Sequence, residues 1–505
     1  MQYFKFNKPG LLITIVGLLN FQSIAQSIIK CEIVGSLSSM NVGGPGIHVE
    51  NRYLCVLSPE NKLWDLNKDP NRCGILVFDE RTEKAPHHIA LPAGEADYLK
   101  PVAISVNSKN VVVFTERHLK SEKSHQAWVF KSSIEDTVFL SPQLLLSFTE
   151  EDRYSLNYNR FFLKQSGNGK TFSYYLLSDH ESNYKFNRSP VLNIYNQDFE
   201  IVRAYNLDLP FNSLECEIID FETGSLNEAL ILVRIETFPK SFEYRLLVMN
   251  PASSATSFLV LEKDFRISDV VIKKLPGGEL NVFGSAITKD NQLNGFCWRF
   301  PVGQMFNPRL FVTNIDYFPD EKPDNLGLND LKTSDIFFND SAGFIMVFSL
   351  EKLRKMHIND SEGHLYFRDE FSASDIVVIK SDADGKLVWK KIIPRYQKAV
   401  NDISRTGFVV GVDSLLRMVF IYNDNTSNIN RDPSNLKAFQ RKGKVRAFAI
   451  NSNGEILKNL YLEGKNFDLT ITPEEACRLK TENGWYFAND DVLWKFDTNL
   501  FLNAE

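Results

Sequence analysis

The stretch SDADGKLVWKK, Ser381 to Lys391, follows an alternating run, DIVVIK (Asp375 to Lys380), and the chain repeats the pattern further on as VRAFAINSNGEILKNL (Val445 to Leu460). An apolar strand, a polar turn carrying Asp, Asn or Gly, and a second apolar strand form the signature of a β-hairpin. The same template stands at GILVFDERTEKAPHHIAL (Gly74), AWVFKSSIEDTVFL (Ala127), VLNIYNQDFEIVRAY (Val191), YRLLVMNPASSATSFLVL (Tyr244) and GFCWRFPVGQMFNPRLFV (Gly295), and in shorter form at DVLWKFDTNLFL (Asp491). Its turns start at Asp79, Lys131, Asn196, Asn250, Pro301, Ser381, Asn451 and Asp497, about 60 residues apart on average, a period that points to a repeat architecture.

A second pair of strands lies between these hairpins, as in LECEIIDFETGSLNEALILVRI (Leu214 to Ile235), RISDVVIKKLPGGELNVFGSAI (Arg266 to Ile287) and DISRTGFVVGVDSLLRMVFIY (Asp402 to Tyr422). Two hairpins per period make a four-stranded antiparallel unit. One such sheet cannot bury its apolar faces alone, whereas radially stacked sheets bury both and leave only short edges exposed. The expectation is therefore an all-β chain, a β-propeller of four-stranded antiparallel blades. Eight copies favour eight blades; the clipped last copy leaves seven as the alternative. Two short helices are expected, at Thr472 to Lys480, where Thr472, Pro473 and Glu475 form a capping box, and at Ser349 to Met356. The run Ile28 to Leu37 is expected to pair with the last unit near Trp485 to Phe496 and so close the ring.

Residues 1 to 25 read as a cleaved export signal: Lys5 and Lys8, then the apolar run Leu11 to Leu19, then Ser23 and Ala25 before Gln26. The apolar run is too short to cross ~30 Å of hydrocarbon as a helix. The expected product is residues 26 to 505, a single propeller domain with insertions near 316–335, 357–375 and 423–444, with no membrane span, located in the periplasm, at the outer surface or in the medium. The formal net charge of -6 excludes a broad electrostatic footprint for nucleic acid. Of the six cysteines, Cys55 with Cys73 is the local disulfide candidate, and Cys31 with Cys477 would join the two ends; small buried thiols are the alternative for each.

Catalytic motifs fare poorly. SGNGKT, Ser166 to Thr171, lacks the earlier glycine of a phosphate loop and sits between two strand-like runs, so it reads as a hairpin turn. His87 and His88 are adjacent and face opposite sides of a strand. The chain holds no HExxH and no GxSxG. SDADGK and NDNTSNIN place oxygens at alternate positions without completing a calcium loop, so no cofactor is expected and calcium stays a minor alternative. Candidate binding loops are the acidic insertion with Asp316, Asp320, Glu321 and Asp324, and the basic lip with Arg431, Lys437, Arg441 and Lys442.

In DADGKLVWKK the spacing of Gly385 and Trp389 resembles the repeat of quinoprotein-like and WD40-like propellers, and implies a Trp docked between blades. After Gly454 the equivalent position is Lys458, so the resemblance carries geometry and no quinone cofactor. The chain as a whole resembles exported propeller-like proteins of Gram-negative bacteria. The functional expectation is a monomeric, non-catalytic propeller presenting loops to a protein or polysaccharide partner. The alternative is a glycan lyase or hydrolase with its site at the channel, where carboxylates or a His/Tyr pair with perturbed ionisation would cluster. A third reading, packing within a surface assembly, would leave apolar patches on blade edges.

Overall fold

The computed structural model describes the chain from Asn41 to Asn503 outside a set of stretches, the longest being 59–73, 150–159 and 316–325, and before Asn41 only Gln2–Tyr3 paired with Ile15–Val16. The export signal, the Ile28 to Leu37 run and Cys31 thus fall almost wholly outside the described residues.

From Asn41 on, the strands group in chain order into eight successive antiparallel sheets of three to five strands, with a two-stranded ribbon, Glu181–Ser182 paired with Asn187–Arg188, between the second and third strands of the third. The fourth shows the common plan: Cys216–Thr223, Ala229–Phe238, Ser241–Asn250 and Ala255–Val260, each paired with the next. Every turn start read from the sequence lies at or near the end of a third strand, so the repeated hairpin is the outer half of each sheet. Alternation of side chains then does the packing. Val111 and Val113 of the second sheet face the first sheet, while Val112 and Phe114 face the third. Ile231 and Val233 of the fourth sheet join the core shared with the third, and Leu230 and Leu232 the core shared with the fifth. The same division continues through Met346 and Phe348 against Ile345 and Val347 in the sixth sheet. The cores between consecutive sheets, first to eighth, are thus built from two faces of each intervening sheet. At about 1.5–3 kcal/mol for each large apolar side chain buried, no sheet is stable apart from its neighbours.

First strands lie innermost. Arg160–Gly167 adjoins Cys216–Thr223, which adjoins Phe265–Lys274, which adjoins Leu331–Asn339. Fourth strands such as Ile201–Asn206 and Arg309–Asn314 are largely exposed. At the other end of the series, Cys477–Arg478 of the eighth sheet lies against Ile47–Val49 of the first, which in turn adjoins Leu99–Asn107 of the second. Sheets stacked face to face around a common axis, innermost strand first, constitute a β-propeller.

Four of the described turns share one five-residue loop. In Asn451–Glu455 the Asn451 Oδ1 accepts from the backbone N–H of Asn453 and Glu455, both at 2.9 Å, and Gly454 sits at φ 81°. Asp382–Lys386 repeats it, with Oδ1 accepting at 3.0 and 2.8 Å and Gly385 at φ 86°. Asn196–Glu200 and Asp413–Arg417 do so too, but Phe199 and Leu416 occupy the left-handed position. Phe199 holds that strained backbone because its ring stacks on Tyr174 at 4.8 Å and is buried. In SDADGK, Asp382 Oδ1 is thus engaged in its own turn.

Outer strands clasp the turn of the following sheet. Trp389 Nε1 donates to Ser452 O at 2.9 Å, and its ring covers Gly454, as the resemblance implied. Thr313 Oγ1 donates to Gly385 O at 2.7 Å, and Gln143 Nε2 to Phe199 O at 3.1 Å. Lys458, which stands where the Trp spacing fails, donates from Nζ to Phe501 O at 2.7 Å in the eighth sheet.

Three expectations are corrected. Ser349 to Met356 lies within the strand Gly343–Asn359, because pairing with Leu365–Ser381 satisfies its backbone more fully than an isolated turn of helix. Within Thr472 to Lys480, Cys477–Arg478 is a strand paired with Gly484–Asn489. The second arm of the last copy is a helix, Thr498–Asn503, whose Phe501 and Leu502 enter the core between the seventh and eighth sheets.

Candidate functional site

Second-to-third strand connections and the links between sheets emerge on one rim of a propeller, and all three expected insertions belong to these classes. The 357–375 segment is not a loop. It prolongs the two middle strands of the sixth sheet, Gly343–Asn359 and Leu365–Ser381, into a ribbon that projects past the blade. The outer strand Leu387–Ile393 follows it, breaks at residues 394–396, and resumes as Gln397–Val400 on the same edge.

Arg395 occupies that break. Its side chain is wholly buried, with Nε donating to Ser374 O at 3.1 Å and Nη2 to Glu351 Oε1 at 3.2 Å and to Ser349 Oγ. The guanidinium also lies 5.1 Å from the Phe408 ring centroid. It therefore ties both middle strands where their register shifts between Ser349 and Glu351, the point at which the ribbon leaves the blade. Burial lowers its pKa, with the nearby Glu351 opposing the shift.

Beyond the break the three-stranded ribbon forms one wall of a cleft of about 720 Å³. Register places Arg354, Glu370 and Val400 in one row, Lys352, Ser372 and Lys398 in the next, and Met356 opposite Arg368. Since paired and alternate residues share a face, Arg354, Arg368, Ser372 and Lys398 all present to the same side as Glu370. Arg368 pairs with Glu370 at 3.2 Å. Three cations against one carboxylate give this wall a positive balance on a chain whose formal net charge is -6.

The opposite wall is the 423–444 insertion, contributing Asn425, Ala438 and Gln440. The buried Asp424 fixes it: Oδ1 accepts from Asn425 N at 2.8 Å and Asn428 Nδ2 at 2.7 Å, and Oδ2 from Arg446 Nη1 and the Tyr461 hydroxyl, both at 2.9 Å. Burial, with Asp424 close by, pushes the Tyr461 phenol up, so it stays a donor. Asn425 Nδ2 holds Ala438 O at 3.0 Å, and Asn428 holds both backbone groups of Lys437, at 2.8 Å each. Phe439, fully buried, joins the walls: its N–H donates to Tyr396 O at 2.9 Å and its carbonyl accepts from Lys398 N at 2.8 Å.

At the axis the innermost strands carry carboxylates opposed by lysines. Lys164 reaches Asp220 at 3.5 Å and Glu222 at 3.3 Å; Lys332 reaches Asp269 at 3.6 Å; Lys273 pairs with Asp335. Burial raises the pKa of Asp220 and of Asp269, offset in part by these lysines. Lys164 is raised because Glu222 and Asp220 outweigh the lowering by burial. The pairs tie first strands of adjacent sheets together, and both charges of each pair are already engaged.

Of the candidate loop residues, Arg431 turns back on its own loop, bonding Ser427 O at 3.1 Å, and Lys437 is exposed beside the cleft wall. Arg441, Lys442, Asp316, Asp320, Glu321 and Asp324 lie outside the described residues. Both disulfide candidates do as well, since Cys31 and Cys73 are not described; Cys55 and Cys477 lie on strands, and Cys216 and Cys297 are buried thiols outside any disulfide. SGNGKT is a hairpin connection, with Gly167 and Phe172 in register across it. Among the described residues no group of three or more His, Cys, Asp or Glu is placed to hold a metal ion, and no helix is long and apolar enough to cross a membrane. Sequence reading found the segments but missed Arg354, Arg368 and Lys398, whose convergence depends on strand register.

No family model matches the chain, and neither does any curated protein. Among solved structures, the chain is similar to the Dos1 propeller, at 10% identity over 93% of this chain and 95% of that one, with a TM-score of 0.43. It is also similar to the β-propeller domain of the trilobed protease from Pyrococcus furiosus (13% identity, 84% and 98% covered, TM-score 0.37). A third is an ulvan lyase of polysaccharide lyase family PL25 (10% identity, 86% and 98% covered, TM-score 0.40). These likenesses concern the fold alone.

Proposed function

We propose that residues 26 to 505 form one closed, eight-bladed propeller that is exported and acts as a non-catalytic binding protein, presenting the cleft between the sixth and seventh sheets to an acidic partner. The observation that carries this reading is the cleft itself: extensions of the sixth and seventh sheets past their blades meet around a positive wall. A rigid scaffold holding prolonged rim segments is the usual arrangement of a recognition surface. The Lys5, Lys8 and Leu11 to Leu19 pattern supports export.

The axis supports binding over catalysis, because its half-buried carboxylates are bound up in ion pairs that brace adjacent strands. The test is to incubate the purified mature chain with acidic proteins and acidic polysaccharides while following both association and product formation. Saturable association without products is expected. Turnover of a polysaccharide would overturn the non-catalytic reading in favour of a lyase or hydrolase.

A further inference from the structure

The chemistry of the cleft narrows the acidic partner to one class. We infer that the cleft binds an acidic oligosaccharide, a chain of sugar rings bearing carboxylate or sulfate groups; this rests on the binding reading above and specifies its ligand. An acidic peptide would bind most economically by adding a strand to a sheet edge. On the edge that faces this cleft, Gln397–Val400 pairs with 370–373 on one side, and Phe439 occupies the other at Tyr396 and Lys398 through bonds at 2.9 and 2.8 Å, which leaves too short a run for an added strand. A ligand there is met mostly by side chains.

Those side chains are mostly hydrogen-bond donors. Arg354 and Arg368 carry forked guanidinium groups on neighbouring strands, which match the planar oxygens of a carboxylate or the face of a sulfate. Lys398 adds a point charge one row along, and Ser372, Asn425 and Gln440 supply neutral groups suited to sugar hydroxyls. The apolar lining, Phe371, Ala399, Val400 and Ala438, holds a single aromatic ring, short of the platform that a run of stacked bases would need. Cations spaced along a strand face, with amide and hydroxyl groups between them, fit a polymer whose charges recur at intervals along a hydroxylated backbone.

The test is calorimetric titration of the mature chain with oligogalacturonate and with sulfated dextran oligomers as the two anionic sources. Neutral dextran and oligoglutamate serve as the controls. Binding of at least one anionic glycan, weakened by added salt, with neither control binding, is expected. The double variant Arg354→Ala/Arg368→Ala should lose about tenfold or more in affinity, as follows when charge-assisted bonds are removed, and Arg368→Lys should lose less. A readout independent of folding in the variants is acetylation of Lys398 in the unaltered chain, which the ligand should slow. Equal binding of oligoglutamate would overturn the ligand class and leave the binding protein intact. Binding of an anionic glycan with product release would leave the ligand class and overturn the non-catalytic reading. Failure of both glycans to protect Lys398, or affinity unchanged in the double variant, would overturn the inference outright.

Discussion

Gly454→Ala probes the clasp between the sixth and seventh sheets. Gly454 sits at φ 81°, where an alanine carries a steric cost of about 1–2 kcal/mol. A Cβ built there also meets Trp389 Cδ2 at 2.9 Å and Cε3 at 3.0 Å, and crowding a packed ring costs about 1–3 kcal/mol more. The variant should therefore lose about 2–5 kcal/mol, read as a fall in the urea midpoint by far-ultraviolet circular dichroism. Two comparisons separate the contributions. Gly385→Ala shares the backbone cost at φ 86°, but its nearest neighbour, Phe311 Cβ, stands at 3.2 Å, so it should lose less. In a Trp389→Ala background the ring is gone, and Gly454→Ala should cost only the backbone share of about 1–2 kcal/mol. Removal of Trp389 does not orphan Ser452 O, which still accepts from Lys380 Nζ at 3.1 Å. If Gly454→Ala costs the same with and without Trp389, the outer strand does not clasp the next turn and the reasoning fails.

Asp424→Ala leaves the buried Arg446 without its carboxylate and should cost about 3–5 kcal/mol, with faster proteolytic cleavage within 425–443 as the local readout. Asp269 has a native pKa above its ordinary 3.8, so the fold disfavours its charged form. Its contribution is unfavourable above the native value and relieved as pH falls from there towards 3.8. Urea midpoints of the unaltered chain relative to Asp269→Asn should accordingly rise through that window as pH is lowered. Cys216 and Cys297 should resist alkylation in the native chain and react fully in urea, by mass spectrometry; burial also pushes the Cys297 thiol up and keeps thiolate scarce.

The fold was legible because its repeat is local. A strand, an Asx turn and a second strand are fixed by neighbours in sequence, so Asp382 and Asn451 declared their hairpins directly. Turns with Phe199 or Leu416 at the left-handed position lack the glycine signal and were found through the flanking alternation. Helical patterning misled at Ser349 to Met356, since a partner strand about 20 residues away decides the outcome there. The site was legible as a region and not as residues. The 357–375 and 423–444 segments stood out by length, but Arg354, Arg368 and Lys398 share a face only once the register of three strands is known. Nor could the sequence show that Arg395 would be buried at the bend, because a lone arginine in IIPRYQ reads as a surface residue.

The most direct test of the circular arrangement is to place cysteines at His48 and Arg478, on the strands where the first and last sheets meet, and treat the folded chain with a short bismaleimide. Intramolecular cross-linking at high yield, lost in urea, is the predicted result. A folded chain in which these positions cross-link only between molecules, or not at all, would contradict a ring in which the first and last sheets are neighbours.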